Sequence, residues 1–185
     1  MERNEAKNII AIYELNQMSD NDKLDILEHN YWFFDNKEDI IEAIADESYP
    51  KISNDLIDLI SVTSKPVLNE ESERLVLDFI KGRFYFVSNS YLESKLIEIN
   101  QNFIDTVIGE AEKAGLCPCC EYYSIGYGED GFYDICPVCF WENGGDGPNH
   151  MTLAEAKMNF QRFGAIDERS LKYVDIEGVN KYLKK

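Results

Sequence analysis

The sequence predicts an α+β protein: a mostly helical N-terminal region and a C-terminal β-hairpin followed by a helix. Three observations carry this. Over roughly the first hundred residues, apolar side chains return every three or four positions between residues that cap helices. Beyond them, the quartet Cys-Pro-x-Cys occurs twice, as Cys117-Pro118-Cys119-Cys120 and Cys136-Pro137-Val138-Cys139. Between the two copies, a glycine-rich turn is flanked by short runs of aromatic and β-branched residues.

In chain order, Ala6, Ile9, Ile10 and Tyr13 form the stripe of a first helix. Ser19 followed by Asp22 opens a second, which carries Leu24 and Leu27. Ile40, Ile41 and Ile44 mark the inward face of a third, which starts after Asn36 and ends before Pro50. The aromatic run Tyr31, Trp32, Phe33 and Phe34 reads as core filling at the junction between them. Leu56, Leu59 and Ile60 follow a cap at Ser53-Asn54, and Leu75, Val76, Phe79 and Ile80 follow one at Asn69, with Gly82 as the stop. Residues 83–87 suit a short strand or an extended connector. Ser90-Tyr91-Leu92-Glu93 matches a capping box and predicts a helix carrying Leu92, Leu96 and Ile99. Residues 102–115 suit helix and strand equally, and the boundary between an acidic helical domain (1–112) and a cysteine-bearing domain (113–185) falls within them. Residues 122–125 and 132–135 then make the hairpin strands around the turn 126–131. Thr152-Leu153-Ala154-Glu155 is a capping box, and Leu153, Ala156, Phe160 and Phe163 form one apolar stripe before Gly164 stops the helix. That stripe is expected to cover the hairpin, with Phe140 and Trp141 as its counterparts.

Fifteen residues separate the two cysteine pairs, a zinc-ribbon spacing. Each turn offers two thiolates about 3 to 4 Å apart, and two turns complete a tetrahedron of soft donors. Pro118 aligns with Pro137 and Cys119 with Val138, so Cys117, Cys120, Cys136 and Cys139 are the expected ligands and Cys119 the spare. Displacement of one of the first pair by Cys119, with His150 as an alternative ligand, stays open at this point. Four thiolates leave no position for water, so the expected Zn²⁺ is structural. A disulfide framework fits less well in a chain of 185 residues with only five cysteines. Glu142, Asp146, Asn149 and His150 follow the second pair, but Gly144, Gly145, Gly147 and Pro148 mark that stretch as a turn. No HExxH motif, phosphate-binding glycine loop or Ser-His-Asp order is present, and His29 and His150 are the only histidines.

The net charge is −17. Residues 1–115 hold 24 acids against 11 bases, and residues 14–58 hold 13 acids against Lys23, Lys37 and Lys51. Such a surface repels nucleic acid and anionic membranes and attracts basic proteins. Asp35, Glu38, Asp39, Glu42, Asp46 and Glu47 are the candidate partner-facing residues, with positions 38, 42 and 46 sharing one helix face. No apolar run approaches the roughly 20 residues of a membrane helix, and no basic-then-apolar leader opens the sequence, so the cytoplasm is the expected compartment. Reduced cysteines fit it.

The block CPCC, then DICPVCFWENGGDGPNHMTLAEAKMNFQRFGA, resembles the bacterial CPCC family of cysteine-rich proteins over residues 116–167. AIYELNQMS, SNSYLESKL and the tail 168–183 are similar to its longer, two-part members. Glu121 stands where the family usually places Gly, a departure that concerns the turn of the first knuckle and not its thiolates. The resemblance implies an immunity-type protein, since some members occur beside secreted polymorphic toxins. On that implication the chain is a non-catalytic inhibitor of a basic toxin domain, such as a nuclease with a positive cleft. A zinc-ribbon adaptor of transcription or translation machinery is the alternative, although Lys157, Arg162, Arg169 and Lys172 make a sparse basic stripe for direct nucleic-acid binding. A zinc hydrolase ranks third.

Overall fold

The computed structural model describes residues 1–185. The chain packs as two compact units, Asn8–Arg83 and the discontinuous set Met1–Lys7 with Phe84–Lys185. Helix α1 (Arg3–Gln17) begins in the second and continues in the first. Its buried positions are Arg3, Ala6, Lys7, Ile10 and Ala11, spaced i, i+3, i+4, i+7 and i+8. Tyr13, expected in the stripe, is 44% exposed, because the fifth position of that face is Ala11.

In the first unit, α2 (Asp20–Asn30) packs on α5 (Glu70–Gly82), and α3 (Lys37–Ala45) packs on α4 (Asn54–Val62). Every start follows a side-chain cap: Ser19 with Asp22 as a capping box, Asn36, Ser53, and Asn69 with Ser72. Leu27, Ile40, Leu56, Ile60, Val76 and Ile80 fill the core. Trp32 is buried with its indole N–H donating to the backbone and hydroxyl oxygens of Thr63 at 3.1 Å. Phe33 leaves the expected core and is 58% exposed, resting on Phe34 and Tyr49. Ile41 is also exposed: Ile40 takes the inward position of α3, and its neighbour lies about 100° around the helix.

In the second unit, α6 (Asn89–Ile99) is capped by Ser88, whose hydroxyl accepts the Tyr91 N–H. The cap thus lies two residues before the expected Ser90, because the Glu93 carboxylate is spent on the Val107 N–H at 2.8 Å. Residues 83–87 form a connector without a strand, and 102–114 are in neither helix nor strand apart from a parallel bridge between Glu2 and Ile108. The packing division therefore lies at Arg83/Phe84, whereas the composition change placed a boundary at 112/113. Two clasps account for this. The Arg3 guanidinium donates to the carbonyls of Val87 (2.7 Å) and Tyr85 (3.1 Å), to Asn89 Oδ1 (2.7 Å) and to Glu112 Oε2 (2.7 Å). At the other end of the unit, Glu177 accepts hydrogen bonds from Tyr91 and Lys95 of α6, while the Asp175 N–H donates to Pro137 O at 2.8 Å.

The sheet is small. β1 (Gly115–Leu116) pairs antiparallel with β2 (Tyr123–Ile125). The expected second strand at 132–135 is absent, and only Ile135 bridges to Glu142. Gly115 and Gly131 each lie so close to Gly126 O that a Cβ would sit 2.1 and 2.2 Å from it. That three-way approach fills the place of a ladder partner, and the Gly126 N–H is taken by the Asp134 carboxylate. A 3₁₀ turn (Gly128–Gly131) and the left-handed Tyr133 (φ 67°) stand where the strand at 132–135 was expected, and the hairpin of the cysteine module is β1 with β2. After the second cysteine pair come α7 (Asp146–Asn149), α8 (Leu153–Phe163) with its Thr152/Glu155 capping box and Gly164 stop, a 3₁₀ turn (Glu168–Lys172) and α9 (Gly178–Lys181). No helix is long and apolar enough to cross a membrane.

Candidate metal centre

Each Cys-Pro-x-Cys quartet folds into the same tight knuckle. In the first, the Glu121 N–H donates to Cys117 O and the Cys117 N–H to Tyr122 O, at 3.0 and 2.9 Å. In the second, Phe140 N–H donates to Cys136 O and Cys136 N–H to Trp141 O, at 2.8 and 2.9 Å. Closing both bonds requires a left-handed residue after the last cysteine. Glu121 (φ 64°) and Phe140 (φ 69°) fill that role. The first knuckle keeps the geometry of the second despite lacking glycine, at a strain of about 1 kcal/mol.

The knuckles bring Cys117, Cys120, Cys136 and Cys139 together, with all four sulfurs within 4.8 Å of one another and all four residues buried. Across the pair, Cys117 Sγ lies 3.6 Å from Cys139 Sγ, and Cys120 Sγ 3.5 Å from Cys136 Sγ. A disulfide would place two sulfurs about 2.05 Å apart, while metal–sulfur bonds of about 2.3 Å in a tetrahedron put them about 3.8 Å apart. The spacing matches the second arrangement. Cys119 is buried beside this set without belonging to it, and His150 is exposed and also outside it.

Hydrogen bonding with the thiols of Cys117, Cys120 and Cys139, Cys117 first, holds the Cys136 pKa far below the ordinary range. Hydrogen bonding to Cys117 first, with Cys136 next for Cys120 and Cys119 next for Cys139, pushes both of those thiols far above it. Four negative sulfurs at this spacing repel one another strongly unless a cation lies among them. The donor set fits a tetrahedral ion that prefers soft ligands, as Zn²⁺ does. The Val138 N–H at 3.4 Å and the Ser124 hydroxyl at 3.1 Å from Cys136 Sγ add donors that stabilise its thiolate.

Around the sulfurs, Ile125, Val138, Trp141, Ala156 and Ile166 form a buried shell, with Leu153, Phe160 and Phe140 packed against it. This is the cover that the α8 stripe was expected to provide. Glu142, Asp146 and Asn149 stay within the turn: Asn149 bonds the Glu142 N–H and the carbonyls of Glu142 and Gly145, and Asp146 accepts the Leu153 N–H.

The six acidic candidates lie in the other unit, and all are exposed. Glu38 and Glu42 share a face of α3. Asp46 is its C-cap, where the Ser48 hydroxyl and N–H hold its carboxyl below the usual range, and Glu47 is left-handed at φ 64°. Two features went unread in the sequence. Arg3 and Lys7 occupy buried positions of an otherwise apolar helical face, which is itself a signal of a specific acidic partner. Residues 114–156 contain seven acids and no Lys or Arg.

Residues 115–178 match the family described as Cysteine-rich CPCC, and the resemblance drawn from the sequence stands over that span. No curated protein and no solved structure matches the chain.

Proposed function

We propose that this chain is a non-catalytic zinc protein of the immunity type, which inhibits a basic toxin domain, such as a nuclease, by occupying it with an acidic surface. The observation that carries the reading is the acidic region around α3. Asp35, Glu38, Asp39, Glu42, Asp46 and Glu47 are all exposed, and Lys37, the base among them, is paired with Asp58. Carboxylates at i and i+4 repel each other by a few tenths of a kcal/mol, and a basic partner turns that repulsion into attraction. Zn²⁺ in the four-cysteine site has a structural role in this reading, with no coordination position for a reacting water. The adaptor alternative draws on the exposed aromatic residues of the cysteine module, whose lack of bases between 114 and 156 speaks for a protein partner and against nucleic acid.

The test is association with a toxin domain encoded beside the gene, followed by stopped-flow at several salt concentrations. Reversing Glu38, Glu42 and Asp46 to Lys is expected to slow association about tenfold or more at low salt and to flatten its salt dependence. Zinc content and helicity stay at the wild-type level. A wild-type rate in the triple variant at low salt would remove the acidic face from the interface.

A further inference from the structure

Beside the second knuckle lies a cavity of about 230 Å³, below the roughly 300 Å³ at which pockets for drug-sized ligands begin and on the scale of one long side chain. Ile135, Phe140, Met151 and Ile166 give it an apolar wall. Its charged groups are Glu142, Asp167 and Arg169, with His150 at the same lining. Arg169 is already held by Asp167 through two hydrogen bonds of 3.3 and 3.0 Å. Glu142 makes its hydrogen bonds through the backbone, to Asn149, and its carboxylate has no cationic partner.

Two exposed aromatic residues, Phe132 and Tyr133, precede Ile135 of the lining, their ring centroids 6.1 Å apart. Phe132 is 60% exposed and Tyr133 72%. Tyr133 is held in the left-handed region at φ 67°, where a bulky side chain is strained. Its ring lies against Gly144 next to Pro148, which lines the cavity. Strain spent on presenting an aromatic ring to solvent points to a use for that ring.

We propose that the cavity with the Phe132–Tyr133 pair receives an arginine side chain of a basic protein partner. The stem lies on Ile135, Phe140 and Met151, and the guanidinium pairs with Glu142. Arginine suits the site better than lysine because its planar head stacks on aromatic rings and takes a carboxylate bidentately. Residues 114–156 contain no Lys or Arg, and Arg169, the one base in the lining, is paired with Asp167, so Glu142 keeps the net charge of the site negative. The inference rests on the reading that the chain acts by binding a basic protein, and it places a second contact on the cysteine module.

The test is an NMR titration of the zinc-loaded full chain with the capped peptide acetyl-Gly-Leu-Arg-Leu-Gly-amide, and with its Gln-for-Arg analogue. Saturable shifts at Ile135, Glu142 and the Met151 methyl with the Arg peptide alone are expected, and Glu142→Gln weakens binding about tenfold. Tyr133→Gly is expected to weaken binding while keeping zinc and a melting temperature at or above that of the wild type. The triple Lys variant of α3 binds the peptide as the wild type does, so failure of either surface is read separately. No saturable shift up to about 10 mM peptide, equal binding of the Gln analogue, or loss of zinc in Tyr133→Gly overturns the assignment.

Discussion

Glu121 and Phe140 occupy equivalent left-handed positions, yet they differ in what their side chains return. Phe140 stacks on Tyr173 at a centroid distance of 5.0 Å and packs against the buried shell. Glu121 has only an exposed pairing with Lys157 at 3.5 Å, worth little in water. Glu121→Gly is therefore expected to raise the unfolding free energy of the zinc-loaded protein by about 1 kcal/mol, whereas Phe140→Gly lowers it. Denaturant titration of both variants distinguishes them. At the sulfurs, replacing Cys117, Cys120, Cys136 or Cys139 with Ser is expected to release the metal, while Cys119→Ser keeps one Zn²⁺ per chain. Elemental analysis decides this, and full zinc in Cys136→Ser would refute the ligand assignment.

Helix starts provide a sharper test of local reading than helix existence does. Ser88 and Ser90 both precede α6, and their hydroxyls lie 3.0 Å apart, but only Ser88 accepts the Tyr91 N–H. Ser88→Ala is expected to lower stability by about 1 kcal/mol and Ser90→Ala by a few tenths, as measured by thermal unfolding. The sequence suggested Ser90 because Glu93 stands three residues on, and it gave no sign that Val107 claims that carboxylate. The same limit explains the hairpin. Residues 132–135 have strand-like composition, but the mutual approach of the Gly115, Gly126 and Gly131 backbones is a packing contact that composition and alternation do not reveal. Elements fixed by near neighbours were legible: the knuckles, the Thr152 and Ser19 capping boxes, and the stripe of α8. Arg3 and its carboxylate partner are 109 positions apart, and no local pattern links them.

For the molecule as a whole, that clasp makes stability depend on acid. Burial alone would raise the Glu112 carboxyl pKa, but hydrogen bonds from Lys7 and Arg3 outweigh it and hold it below the usual range. Its contribution is present above the unfolded value of about 4.3 and is lost as pH falls through the lower folded value. Glu112→Gln is expected to destabilise the protein by about 1–3 kcal/mol at pH 7, leaving Arg3 without its counter-charge. The gap to wild type should close as pH falls below about 4. Parallel melts at each pH measure it, since acid release of zinc affects both proteins alike. The discontinuous unit also sets an order of events during synthesis. Asn8–Arg83 has its full complement of helices once Arg83 has emerged, whereas Arg3 must wait for Glu112 and the first knuckle for Cys139. Metal capture thus comes late, after the acidic helices have folded. On the zinc reading proposed above, each new copy passes through a metal-free stage, and capture of the ion is the step that completes it.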